Sequence, residues 1–392
     1  MIPESTLDPT VTPKRLLSID GGGVRGIIAS EVLLRIEDIL EKLTGNPCLA
    51  DHFHLIGGTS TGAILATGLA LGMPARELRD FYLSLGPAIF KKEILLRRFW
   101  HRYRSGPLAR QLQKTVGEKT ELGSERLRTL LMIVSKNATT ASAWFFTNNP
   151  RNPYFSSNKH LPLWQLLRAS TAAPTFFPPE TIHVPDRRGA VSPYEFVDGG
   201  VSTFNNPAFQ VFLEATHANY HLGWQTGPEK LLLISLGTGF SPNKLAPGEA
   251  SRQTLIGWAR YGVRALMEDT NLQQNVFLQL MGQTPRPHFI DRELGTGMPS
   301  DHEMTALTQS LGSSKLFTYH RYTLSFTEER FRELGLAGID PQKVSELDSV
   351  EQVGNLQLIG QKVADEQVKL EDFAPFFPES SNRSISSAAS VG

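Results

Sequence analysis

Gly58-Thr59-Ser60-Thr61-Gly62 places a glycine two residues to either side of a serine. Small residues at those positions permit a sharp strand-to-helix turn that lifts the central hydroxyl clear of the backbone, as a serine nucleophile requires. A serine hydroxyl attacks a carbonyl only when a neighbouring base takes its proton and donors hold the oxyanion that forms. Asp198-Gly199-Gly200 offers a carboxylate for the first task. Asp20-Gly21-Gly22-Gly23-Val24-Arg25-Gly26 offers backbone amides for the second. Together they make an acyl-transfer site: Ser60 as nucleophile, Asp198 as base, and an oxyanion hole from the Gly22 and Gly23 amides, joined by that of Thr61.

Each segment also has a plainer interpretation. The pentapeptide around Ser60 suits a helix cap, and a lone D-G-G is usually a turn. Gly21, Gly23 and Gly26 satisfy the dinucleotide pattern G-x-G-x-x-G, in which a helix N-terminus takes the pyrophosphate. That pattern wants an acid at the end of a second strand about 20 residues on, whereas Asp38 and Glu41 fall inside a predicted helix. A Ser, Asp, His triad is open as well, since His221, His288 and His320 all follow Asp198 in the required order. Against it, only two strands are predicted before Ser60, and none of the histidines sits in a clear loop after a strand.

The elements that must position these residues read as strand, turn and helix. Arg15 to Ile19 is a short buried strand broken by Asp20 and the glycines. From Ile27, apolar residues recur at helical spacing through Leu33, Ile36, Leu40 and Leu43 until Gly45 to Pro47 stop the pattern. The unit repeats, with a strand over Phe53 to Ile56, a tight turn at Gly57 to Gly62, and an apolar helix over Ala63 to Leu71. Further strands are predicted over Thr129 to Val134, Tyr194 to Val197 and Leu231 to Leu236, and helices over Leu161 to Ala169 and Ser251 to Met281. Strands alternating with helices favour a layered α/β fold around a mainly parallel sheet. In such a sheet Asp198, at the carboxyl end of a parallel strand, would face the same edge as Ser60.

The chain has 392 residues, 40% of them hydrophobic, enough for a large core. Its 39 Lys plus Arg balance 39 Asp plus Glu, which argues against a nucleic-acid partner. No apolar run is long enough to span a membrane and the first residues lack the form of a signal peptide, so a soluble, cytoplasmic protein is expected. The single cysteine excludes an intrachain disulfide, and no metal-ligand spacing is present, so no cofactor or metal is expected. Residues 1–14 form a leader, 15–245 a catalytic core, 246–377 a mainly helical part packed on it, and 378–392 a flexible tail.

The motifs DGGGVRG at 20–26, GTSTG at 58–62 and DGG at 198–200, in that order, resemble the signature of the patatin-like phospholipases. ASTAAPTFFPP at 169–179 and LLLISLGTG at 231–239 are also similar to that family's internal segments, so the likeness covers about residues 15–240. The resemblance implies a patatin-like αβα fold and a lipid acyl hydrolase acting through a Ser-Asp dyad and an acyl-enzyme. It further implies that Ser60 and Asp198 are the dyad and that Gly21, Gly22 and Gly23 supply the oxyanion hole. Arg25 stands where the family keeps a basic residue, near the lipid phosphate or bracing the loop. The third motif is D-G-G where many relatives have D-G-A, which leaves the carboxylate in place. A storage or binding protein of the same fold and a signal-gated effector are the alternatives.

The expected partners are a phospholipid or other acyl-lipid substrate and a peripheral membrane surface. Residues 91–104 carry six Lys or Arg against one acid, interleaved with large apolar side chains, a mixture suited either to anionic headgroups or to an ordinary solvated helix. Phe176-Phe177-Pro178-Pro179 suits either a hydrophobic wall beside the site, which is the expectation, or simple filling of the core.

Overall fold

Leu16 and Leu17 are chain neighbours yet lie in different hydrophobic clusters on opposite faces of one strand, and both are fully buried. The same alternation runs through Leu55 and Ile56, Leu130 to Val134, and Leu231 to Leu236. Strand side chains alternate between faces, so a continuous apolar run must be covered on both. This is the physical basis of the layered fold. The structure is a computed structural model that describes residues 2–89, 103, 105–185, 189–242, 244–288 and 314–377.

The central sheet contains β1 (Lys14–Ile19), β2 (Leu55–Thr59), β3 (Leu130–Asn137), β4 (Ser142–Thr147), β5 (Glu180–Pro185), β6 (Val191–Asp198), β7 (Leu231–Leu236), β8 (Gly282–Gln283) and β9 (Phe317–Tyr322). Their order in space is β5-β6-β3-β2-β1-β7-β9-β8, with β4 paired to β3. The run from β3 to β8 is parallel, while β4, β5 and β6 pair antiparallel.

Six helices matter for the site: α1 (Gly26–Thr44), α2 (Thr61–Ala70), α3 (Leu163–Ser170), α4 (Ala208–Thr216), α5 (Leu255–Met281) and α6 (Val353–Gln367). Helices α1, α2, α3 and α6 pack on one face of the sheet, and α4 with Leu278 of α5 covers the other. The predicted strands and the glycine stop after α1 are present.

Two features differ from expectation. The first is the strand that bears Asp198. Strand β3 outruns β2: residues 130–134 pair with β2, and Ser135, Lys136 and Asn137 pair with β6. Because β4 occupies the other edge of β3, β2 and β6 share one edge and meet end to end. The carboxyl end of β6 therefore reaches back toward the carboxyl end of β2. Asp198 faces Ser60 from an antiparallel strand, not from a neighbouring parallel one.

The second is the region after residue 245, which is mainly helical but also supplies β8 and β9 to the sheet. Phe317–Tyr322 has the sequence FTYHRY, whose histidine and arginine disguise a fully buried strand. Arg321 is tolerated there because its guanidinium makes a two-pronged ion pair with Asp20 and donates to Ser235 Oγ at 2.7 Å. Removing one partner from such a pair leaves a buried charge uncompensated, at about 3–5 kcal/mol.

Candidate active site

Ser60 sits between β2 and α2 with φ 53° and ψ −121°, a conformation that side-chain-bearing residues rarely adopt. Its two flanking glycines make that turn possible by close approach. A Cβ on Gly62 would lie 2.1 Å from the Ile19 carbonyl oxygen at the end of β1. One on Gly58 would lie 2.2 Å from the carbonyl oxygen of Gly62 itself. The ends of β1 and β2 and the start of α2 thus crowd around a serine that is 8% exposed.

The Ser60 hydroxyl donates to Asp198 Oδ2 at 2.6 Å. The other carboxylate oxygen, Oδ1, accepts the Gly200 N–H at 2.7 Å, so the D-G-G turn orients the carboxylate. Asp198 is 6% exposed. Burial raises its pKa to about 6, against the opposing effects of the Ser60 and Gly200 hydrogen bonds and of the Arg168 charge. An acid tuned to that range can accept a proton near neutrality and return it. Among the histidines weighed above, His288 Nε2 meets the Arg321 carbonyl at 2.9 Å and His320 Nδ1 lies 3.5 Å from Asp372, while His221 is exposed. The partner of Ser60 is the carboxylate.

The glycine loop is tied down from several directions. Thr238 Oγ1 donates to the Gly21 carbonyl at 2.8 Å, Thr61 Oγ1 donates to that of Gly23 at 2.8 Å, and the Val24 N–H donates to the Leu347 carbonyl at 3.0 Å. Gly23 has φ +59°, and a Cβ there would lie 2.3 Å from Leu347 O. Among the described residues the Gly22 and Gly23 amides meet no protein acceptor. Gly21, expected among the oxyanion donors, instead gives its N–H to the Asn205 carbonyl at 3.1 Å. Its want of a side chain serves packing, since a Cβ would lie 2.5 Å from Asn205 Oδ1 and 3.2 Å from Ser60 Cβ.

Arg25 braces this loop. Its Nη1 donates to the Ser345 carbonyl at 3.3 Å, its Nε to that of Gly22 at 3.4 Å, and its guanidinium lies 5.8 Å from the Phe326 ring centre. Burial lowers its pKa to about 10, which leaves it charged at neutral pH.

Several supporting residues escaped the sequence reading. Ser170 Oγ accepts the Ser60 N–H at 2.8 Å and donates to the Val134 carbonyl at 2.6 Å, fixing the elbow to β3. Asn205 fills the gap between Gly21 and Gly200. The only available signals were the family-like segments holding Ser170 and Thr238. Phe177, expected in a wall beside the site, is buried in the core against Arg168 and Tyr103. The basic stretch 91–104 lies outside the described residues apart from Tyr103, whose hydroxyl donates to Asp348 at 2.7 Å.

The fold and these contacts define a layered α/β protein with a serine on a strained strand-to-helix turn, joined directly to a buried aspartate. A model of the patatin-like phospholipase family matches residues 17–212. A cGAMP-activated phospholipase of Vibrio cholerae is 36% identical over 208 residues, which cover 50% of this chain and 56% of that protein. One of Escherichia coli is 29% identical over 279 residues, covering 68% and 75% respectively. Patatin-like protein 2 of Arabidopsis thaliana is 30% identical over 285 residues, covering 65% of this chain and 67% of its own. The chain belongs to the patatin-like phospholipase family, and it spans little more than half the length of the Vibrio relative.

Proposed function

We propose that this protein is a lipid acyl hydrolase of the phospholipase A or lysophospholipase type, working through Ser60 and Asp198. The observation that carries the proposal is the 2.6 Å hydrogen bond from the Ser60 hydroxyl to a buried carboxylate whose pKa is raised to about 6. Asp198 takes the hydroxyl proton as Ser60 Oγ adds to the ester carbonyl. The amides of Gly22 and Gly23, and of Thr61 at the start of α2, hold the oxyanion. Collapse of the tetrahedral intermediate breaks the bond to the alcohol, which leaves with the proton from Asp198, and the acyl group stays on Ser60. Water then repeats the sequence, giving its proton to Asp198 and releasing the fatty acid. No step calls for a metal, and no group of three potential metal ligands occurs among the described residues.

Labelling with a fluorophosphonate probe, followed by peptide mass spectrometry, tests the nucleophile: modification of Ser60 is expected, and modification of another serine overturns the assignment. Fatty-acid release from phospholipid vesicles tests the substrate class. Wild-type turnover that is lost in Ser60→Ala separates a hydrolase from a storage or binding protein of the same fold.

The two bacterial relatives favour one refinement, activation by a cyclic dinucleotide. A rise in hydrolysis on adding cGAMP is its expected signature, and unchanged hydrolysis removes it. The lipid surface is approached peripherally in this proposal; no helix of the described residues is long and apolar enough to cross a membrane.

A further inference from the structure

Helix α5 is divided between an anchored half and an unburied one. Toward its carboxyl end, Gln274 donates to the Thr203 carbonyl, Asn275 Oδ1 accepts from the Tyr319 hydroxyl at 3.1 Å, and Leu278 enters the core. Among the described residues from Leu255 to Gln273, none is buried. Yet this half carries large apolar side chains in the open, with Leu255 90% exposed, Trp258 43%, Val263 57% and Leu266 69%. Leu255, Trp258 and Leu266 stand at helical spacing on one stripe, with Val263 at its margin.

Charge distinguishes this stripe from an ordinary exposed helix. Residues 250–267 contain Arg252, Arg260 and Arg264 and no acid, within a chain whose overall charge is balanced. Arg252 and Arg264 are exposed. A helix with apolar residues including tryptophan on one side and arginines around them suits the boundary between anionic headgroups and acyl chains. Arg264 and Glu268 lie opposite Leu266 on the helix, and their charges act on the Arg25 guanidinium with opposite sign.

We propose that the amino-terminal half of α5 is a membrane-docking element, in which Leu255, Trp258, Val263 and Leu266 enter an anionic phospholipid surface while Arg252 meets its headgroups. The proposal rests on the lipid hydrolase assignment for its purpose but not for its test.

Binding is measured by vesicle sedimentation in a Ser60→Ala background, so that hydrolysis cannot alter the surface. The vesicles are mixtures of phosphatidylglycerol with phosphatidylcholine, or phosphatidylcholine alone. Leu255→Glu with Leu266→Glu should raise the lipid needed for half-binding by about tenfold or more. Arg252→Glu should raise it by about fivefold on the anionic vesicles, an effect that added salt erodes. With Ser60 restored, the double variant should hydrolyse a water-soluble ester as the wild type does. Equal vesicle binding by wild type and double variant overturns the proposal. So does an unchanged affinity accompanied either by loss of self-association, which would assign the stripe to a second copy, or by a marked fall in melting temperature, which would assign it to protein already covering it. A Ser60→Ala protein that binds vesicles while the wild type releases no fatty acid leaves the docking element standing and refutes the hydrolase.

Discussion

Replacing Asp198 by asparagine should stop turnover and, at neutral pH, make the protein more stable. The folded carboxyl has a pKa of about 6, against an ordinary value of 3.8. Burial is the main cause, opposed by the hydrogen bonds from Ser60 and Gly200 and by Arg168. Above about pH 6 the carboxyl is ionised in both folded and unfolded chains, and the folded state bears the whole desolvation penalty. A separation of about two pH units corresponds to about 3 kcal/mol. As pH falls from 6 to 4 the folded carboxyl takes up a proton first and the penalty fades. Asparagine has nearly the same shape, can accept the Gly200 N–H and can donate to Ser60 Oγ, so it carries no charge and keeps both contacts, at the cost of the acceptor that the Ser60 hydroxyl proton has in the wild type. Thermal melts of wild type and Asp198→Asn at pH 8 and pH 4.5 provide the assay. The variant should melt a few degrees higher at pH 8, with the gap narrowing at pH 4.5, while ester hydrolysis is lost at both. A variant less stable than wild type at pH 8, or a gap independent of pH, would refute the claim that burial holds this carboxylate poised as a base.

Other substitutions probe the frame around it. Ser60→Gly and Ser60→Ala should both be inactive, but the glycine form should be more stable by about 1 kcal/mol in denaturant melts, because only glycine is at ease at φ 53°. Gly23→Ala should lower turnover of a soluble ester about a hundredfold, since its methyl meets the Leu347 carbonyl and displaces an oxyanion donor. Steady-state kinetics should place that loss in kcat. Arg321→Leu should destabilise the fold by about 3–5 kcal/mol by stranding Asp20, and Asp20→Asn in the same chain should recover part of it in urea melts.

Much of the site was legible in local sequence because its chemistry depends on short-range backbone geometry. Gly58 and Gly62 around Ser60 can be read as an elbow, since the turn must bring chain segments within about 2 Å of where a side chain would stand. The apolar runs at Arg15 to Ile19 and Thr129 to Val134 likewise read as strands of a layered fold, and in the structure their side chains fall alternately into two clusters on opposite faces. The pairing of Ser60 with Asp198 came from the resemblance of the three motifs to the patatin-like phospholipases, since residue order alone left a Ser, Asp, His triad open.

Other features depended on contacts far apart in the chain. Nothing near Asp198 reveals that β6 runs antiparallel on the overhang of β3, because that depends on β3 being longer than β2. Nothing near Gly21 shows that its amide is taken by Asn205, nor does anything near Ser60 show that Ser170 holds its N–H. The pKa of Asp198 is a property of everything packed around it. The strand FTYHRY looks too polar for a core until Arg321 is seen against Asp20, 301 residues away. Local sequence sets the conformations a segment can adopt, but whether a charge is buried, an amide already bonded or an acid tuned depends on partners that only the folded chain brings together.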